Sequence, residues 1–131
     1  MCIRDSGYSI GVDLTRRDLQ DEAKGMRRPW DLSKGFDASA PIGSIVPASE
    51  IGHPAAGRIA LSVNGQLRQD GDLADQIWPV PDIVATLSKF VALAPGDLIF
   101  TGTPEGVGAI VKGDMVEGEI AGIGTLRTKI I

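Results

Sequence analysis

The chain has 131 residues, which is room for one domain of common size, or a piece of one, and not for two. Hydrophobic residues make up 43% and charged residues 23%, with 17 glycines and 8 prolines, a composition that excludes disorder along the whole chain and implies many tight turns. Thirteen basic against seventeen acidic side chains give a formal charge of −4, which leaves no electrostatic footprint for nucleic acid.

In chain order, Met1 to Ser6 (Met-Cys-Ile-Arg-Asp-Ser) lack the apolar core and small-residue cleavage site of a secretory signal. A reducing, cytoplasmic location is the expectation. Cys2 is the single cysteine and His53 the single histidine, so an internal disulfide and a Cys/His zinc site are both excluded. Any metal has to sit among oxygen ligands. Residues 7–14 (Gly-Tyr-Ser-Ile-Gly-Val-Asp-Leu) alternate Tyr8, Ile10 and Val12 with smaller or polar residues, which predicts a strand covered on one face and ending at Asp13. Thr15 can cap the following segment, with Asp18 three residues on, and a short helix is predicted over Arg16 to Lys24 before Gly25 stops it. From Arg27 to Pro54, prolines at 29, 41, 47 and 54 and glycines at 35, 43 and 52 leave short extended pieces in a long structured loop.

Ile59, Leu61 and Val63 then alternate up to Asn64-Gly65, with Leu67 in a second polar-rich strand; Asn-Gly between such runs is the strongest short-range hairpin signal. Pro81 and Asp82 open a helix of three turns with a buried face through Ile83, Leu87, Phe90 or Val91, and Ala94, closed by Pro95-Gly96. Its apolar run is broken by Ser88 and Lys89, far short of the ~20 residues a membrane span needs. Asp97 to Thr101 reads as a short apolar strand entering Gly102-Thr103-Pro104-Glu105-Gly106-Val107-Gly108, and Met115 to Ile120 and Thr125 to Ile131 read as two more strands. Strands dominate, two helices are inserted and one loop is long, which predicts an α+β, β-rich fold.

Asp13 at a strand end, with Arg17 and Gln20 following, places a carboxylate, a guanidinium and an amide on one face if the helix begins near Thr15. Such a group can hold a hard divalent cation through Asp13 and an anionic substrate through Arg17 and Gln20; the bland alternative is an acidic residue facing the helix dipole and a solvated or locally paired arginine. Lys34, between Ser33 and Gly35, is either a solvent-facing loop lysine or a fixed ammonium near a carboxylate or enolate. Thr101-Gly102-Thr103-Pro104 is either a tight turn or a place where backbone amides and a threonine hydroxyl approach an oxyanion. No phosphate loop or dinucleotide fingerprint is present. His53 completes no Ser/His/Asp or Cys/His set, and Trp30 and Trp78 are expected to pack.

Together, residues 7–20 (Gly-Tyr-Ser-Ile-Gly-Val-Asp-Leu-Thr-Arg-Arg-Asp-Leu-Gln), Arg-Pro-Trp at 28–30, Lys-Gly-Phe-Asp at 34–37, Ala-Pro-Ile-Gly at 40–43, Val-Asn-Gly at 63–65, the run 95–108 and Ile-Gly-Thr-Leu at 123–126 resemble the fumarylacetoacetate hydrolase family over residues 7–131. The first two blocks are most similar to its acylpyruvate-cleaving branch. The resemblance implies a mixed β-sheet roll with short helices, a homodimer, and a magnesium or manganese site. It also implies that Asp13 binds the metal, that Arg17 and Gln20 contact the substrate, that Lys34 is the catalytic lysine beside the metal, and that Thr103 contacts the substrate carboxylate. The implied substrate is a small 1,3-diketo acid or 2-oxo acid, and the implied reaction is hydrolysis of a carbon–carbon bond, with oxaloacetate decarboxylation as the alternative on the same site.

Members of that family carry a Glu-x-Glu pair of ligands upstream of the segment matching Gly7. Met1 to Ser6 match no family segment, so the chain is expected to be N-terminally truncated behind a scar-like leader, with residues 7–131 as part of the catalytic domain. Of three implied carboxylate ligands Asp13 alone is present, which assigns the reaction to the parent protein. The rival expectation is a non-catalytic scaffold or dimerising module, and an unrelated β-rich binding domain is the third.

Overall fold

The computed structural model describes residues 7–131; Cys2 and the leader read over 1–6 lie outside them. Its centre is a four-stranded antiparallel sheet in the order β4-β3-β5-β6, made of β3 (Arg58–Val63), β4 (Gln66–Asp72), β5 (Met115–Ile120) and β6 (Gly124–Lys129). The hairpin between β3 and β4 forms where Asn-Gly stands: Asn64 and Gly65 take φ values of 52° and 77°, both left-handed, as the tightest hairpin turn requires. The Asn64 side chain then fastens the neighbouring strand, accepting from the Met115 amide at 2.9 Å and donating to Asp114 at 2.8 Å.

Strand periodicity sorts this sheet into two faces. Ile59 lies opposite Ile120, Leu61 opposite Gly118 and Val63 opposite Val116, so these residues share the inner face. Among the described residues the buried apolar ones are Ile10, Ala60, Val63, Val116, Ile120 and Ile123, of which Ile10, Ile120 and Ile123 form one cluster, with Tyr8, Ile51, Ile59, Leu73 and Leu126 against it. Ile10 enters it over a glycine: a Cβ on Gly118 would stand 2.7 Å from the Ile10 Cδ1, so only a residue without a side chain leaves that space. The outer face carries Arg58, Ser62, Glu117, Glu119 and Arg127 and is tied by the ion pairs Arg58–Asp70 at 2.7 Å and Arg127–Glu117 at 3.2 Å.

The segment before the sheet is less regular than its alternation predicts. Only β1 (Gly7–Tyr8) pairs as a strand, with β2 (Val46–Pro47), and the rest of 7–14 runs extended beside residues 39–43 through single backbone bonds. The strand therefore ends at Tyr8 and not at Asp13. The helix α1 spans Arg17–Gly25, with Arg16 at its N-cap and no side-chain cap; the expected Thr15 cap does not form because the Thr15 hydroxyl is engaged by Lys34. The proline-rich stretch contains two single-turn helices, α2 (Asp31–Lys34) and α3 (Ala48–Ile51), where extended pieces alone were expected.

The region between β4 and β5 departs most from expectation. The helix α4 covers Val80–Leu87 and stops at Ser88, and none of its residues is buried. Asp97 to Thr101 forms no strand, since it finds no partner edge among the described residues. Phe90, Leu98 and Phe100 stay exposed, and so do Trp30 and Trp78, against the expectation that the tryptophans pack. The outcome is an α+β, β-rich architecture, and among the described residues no helix is long and apolar enough to cross a membrane.

Candidate active site

Backbone hydrogen bonds place the Asp13 carboxylate. The Val12 amide donates to the Pro41 carbonyl and the Leu14 amide to the Ser39 carbonyl, both at 2.9 Å, so Asp13 is fixed between two anchored neighbours with its own side chain exposed. The start of α1 is then tied to α2: the Arg16 amide donates to the Ser33 carbonyl at 3.0 Å, and Ser33, 1% exposed, donates its hydroxyl to the Trp30 carbonyl. The Arg16 guanidinium lies 4.6 Å from the centre of the Phe36 ring, a cation–π contact from α1 to the turn after α2.

This docking of α2 carries Lys34 to Asp13. The Lys34 ammonium donates to Asp13 Oδ2 at 2.6 Å and to Thr15 Oγ1 at 2.9 Å. Spacing treated Lys34 and Asp13 as separate candidates, and the fold makes them one charged pair. Arg17 and Gln20 meet as their i,i+3 spacing predicts, with Arg17 Nη1 donating to Gln20 Oε1 at 2.5 Å. Gln20 is 3% exposed, so its amide is a fixed support while the arginine itself stays exposed. Asp13 precedes the helix, which begins at Arg17 and not near Thr15, and its carboxylate accepts from Lys34.

The edge of the Phe100 ring lies against Gly11, where a Cβ would stand 2.7 Å from it; the loop carrying Thr103 therefore starts beside the segment carrying Asp13. Thr103 Oγ1 accepts a hydrogen bond at 2.8 Å from Gln69 of β4, which ties it to the sheet. Two partners in this arrangement are not those the sequence predicts: Thr15 accepts from Lys34 instead of capping α1, and Gln69 carries no signal, being one polar residue in a polar strand. Tyr8 Oη and His53 Nδ1 lie 2.7 Å apart, which joins β1 to the segment after α3. A hollow of about 420 Å³ lies on the outer sheet face, among Arg58, Glu117 and Arg127, and holds none of the candidate residues.

Asp13 supplies one exposed hard oxygen, which suits magnesium or manganese as one ligand among several. Among the described residues no group of three or more His, Cys, Asp or Glu side chains gathers to complete a shell.

The family profile described as Fumarylacetoacetate (FAA) hydrolase C-terminal matches residues 6–131. The chain belongs to the fumarylacetoacetate hydrolase family. Within the family, the chain is 44% identical over 125 residues to the rat mitochondrial oxaloacetate tautomerase FAHD1, a match covering 95% of this chain and 57% of the rat protein. It is 47% identical over 124 residues to a fumarylpyruvate hydrolase from Ralstonia sp, covering 95% and 64% of the two chains. The structure of fumarylpyruvate hydrolase from Pseudomonas aeruginosa in complex with Mn2+ and pyruvate superposes with a TM-score of 0.93 at 50% identity, over 96% of this chain and 54% of that one. The chain thus spans between about half and two thirds of the length of these relatives.

Proposed function

We propose that this chain binds the keto-acid end of an acylpyruvate and that the whole protein hydrolyses its carbon–carbon bond, converting a substrate such as fumarylpyruvate to fumarate and pyruvate. The observation that carries the reading is the Lys34 ammonium, held at 2.6 Å from Asp13, beside a helix whose first turns hold the Arg17–Gln20 hydrogen bond, in a chain 50% identical to a hydrolase whose structure contains Mn2+ and pyruvate. In the proposed reaction a water oxygen bonds to the acyl carbon, the carbon–carbon bond breaks, and its electron pair leaves on pyruvate as an enolate that a proton then quenches. A pyruvate carboxylate accepts hydrogen bonds only, and Arg17 and Thr103 offer donors for it. Gln20 fixes the direction of the guanidinium. The Lys34 ammonium supplies positive charge where the enolate oxygen develops, the demand that dominates such a reaction. Asp13 would hold one position on magnesium or manganese, and a bound cation would add charge stabilisation of the same enolate.

The same reading includes a homodimer, supported by exposed apolar side chains at Ile77, Trp78, Phe90, Leu98 and Val111. The tautomerase relatives favour a second reading on the same site, keto–enol interconversion of oxaloacetate, and decarboxylation of oxaloacetate passes through the same pyruvate enolate. An assay of fumarylpyruvate cleavage and of oxaloacetate conversion with added magnesium or manganese tests the reading. Cleavage abolished by EDTA and by Asp13→Ala is the expected outcome; conversion of oxaloacetate without cleavage would favour the second reading.

A further inference from the structure

We infer that Gln69 is a positioning residue that turns the Thr103 hydroxyl proton toward the substrate carboxylate; the inference rests on the acylpyruvate reading above and adds to it a residue on the central sheet. The starting point is an irregularity in β4. Leu67 lies opposite Ser62 and Gln69 opposite Leu61, with a register shift between Leu61 and Ser62. In a regular strand residues 67 and 69 would share a face. The bulge at Arg68 sends Leu67 to the outer face and Gln69 to the inner one, where Gln69 is 9% exposed.

A glutamine on the inner face must satisfy its amide, and it does so on the loop that follows residue 102. Its amide nitrogen donates to Thr103 Oγ1 at 2.8 Å and to the Pro104 carbonyl at 2.7 Å. The second bond fixes the identity of the first: a carbonyl can only accept, so the nitrogen and not the oxygen of the amide faces this loop. Thr103 Oγ1 is therefore an acceptor toward Gln69, and its single proton points away from the amide. A substrate carboxylate, which lacks any proton of its own, needs that donor. The loop is pressed onto β4 by two further contacts. A Cβ on Gly71 would stand 3.1 Å from Pro104 Cβ, and a Cβ on Gly106, at φ +95°, would collide with the Arg68 carbonyl. Gln69 thus acts where the bulge, Pro104 and Gly106 already hold the backbone, and its own part is the direction of one hydroxyl.

The test is calorimetric titration of pyruvate into the protein with excess Mn2+, for wild type, Thr103→Val, Gln69→Glu and the double variant. Glutamate has the shape of glutamine but accepts, so it takes the Thr103 proton for itself. Each single change is expected to raise the pyruvate Kd about tenfold, the effect of one hydrogen bond to a charged group, and the double variant is expected to bind no worse than Thr103→Val. A double variant weakened by the product of the two single effects would overturn the inference. Gln69→Met keeps the length without a charge and covers the case in which glutamate does not fold; its Kd is expected to rise about threefold, and an unchanged Kd overturns the inference. Amide protons of the Gln69 side chain, read by NMR, are expected to exchange slowly and to shift in Thr103→Val. Wild type that binds no pyruvate overturns the proposed function and the substrate half of this inference, whereas Gln69 amide protons unmoved by Thr103→Val overturn the positioning alone.

Discussion

Lys34 and Asp13 form an ion pair whose side chains are 36% and 48% exposed, and pairs that exposed contribute less than about 1 kcal/mol to stability. Their value is therefore expected in chemistry. Lys34→Met should leave the thermal midpoint nearly unchanged while lowering kcat/KM for an acylpyruvate by about a hundredfold, the scale of one lost electrostatic stabiliser of a developing oxyanion; a variant that retains activity, in a steady-state assay, would remove Lys34 from the mechanism. At this scale the sequence was legible where neighbours along the chain decide the outcome. Arg17 and Gln20 meet because i,i+3 residues share a helix face. The Asp13–Lys34 contact was not legible from spacing, because 21 positions separate the two and the bond between Arg16 and Ser33 that closes the gap is a tertiary event. Thr15 was misread for the same reason, a hydroxyl at a helix start being an equally good partner for a lysine from elsewhere.

Among the elements, the hairpin was legible because Asn-Gly encodes its own turn, whereas the bulge at Arg68 was not, since nothing in Gln-Leu-Arg-Gln-Asp marks an unpaired residue. The bulge matters through what packs on it. Gly106 sits at φ +95° over the Arg68 carbonyl, and Gly106→Ala is expected to cost about 1–3 kcal/mol from backbone strain and collision and to weaken pyruvate binding by lifting Thr103; chemical denaturation alongside a binding titration reads both. Ile10 fills the space that Gly118 leaves in the core, and Ile10→Ala should cost about 2–5 kcal/mol, read as a lower denaturation midpoint. A cost within error would show that the N-terminal segment is not part of the folding unit. Periodicity failed over 80–101 because it reports which side chains are apolar and not whether a partner surface lies within reach: α4 ends at Leu87, and 97–101 has no paired edge.

For the molecule as a whole, acid is expected to act through aspartates held by donors. The Ala74 and Gly57 amides hold the Asp72 carboxyl below the usual carboxylate range, the Val111 amide and the Asn64 side chain do the same for Asp114, and Arg58 for Asp70. A carboxyl depressed in the folded state contributes stability that is present above its unfolded value and is lost as pH falls through its folded value. The thermal midpoint should be flat from neutral pH down to about 5 and fall below about 4, and Asp72→Asn should shallow that fall. The exposed apolar side chains from Ile77 to Val111 predict association, so sedimentation should report a mass above that of one chain; a monomer at every concentration would contradict the dimer. The most direct measurement is titration of pyruvate into the protein with and without Mn2+, beside Asp13→Ala. Binding that needs the cation and disappears in Asp13→Ala is the predicted result, and pyruvate binding indifferent to both would contradict the assignment of Asp13 and Lys34 to the keto-acid end of the substrate.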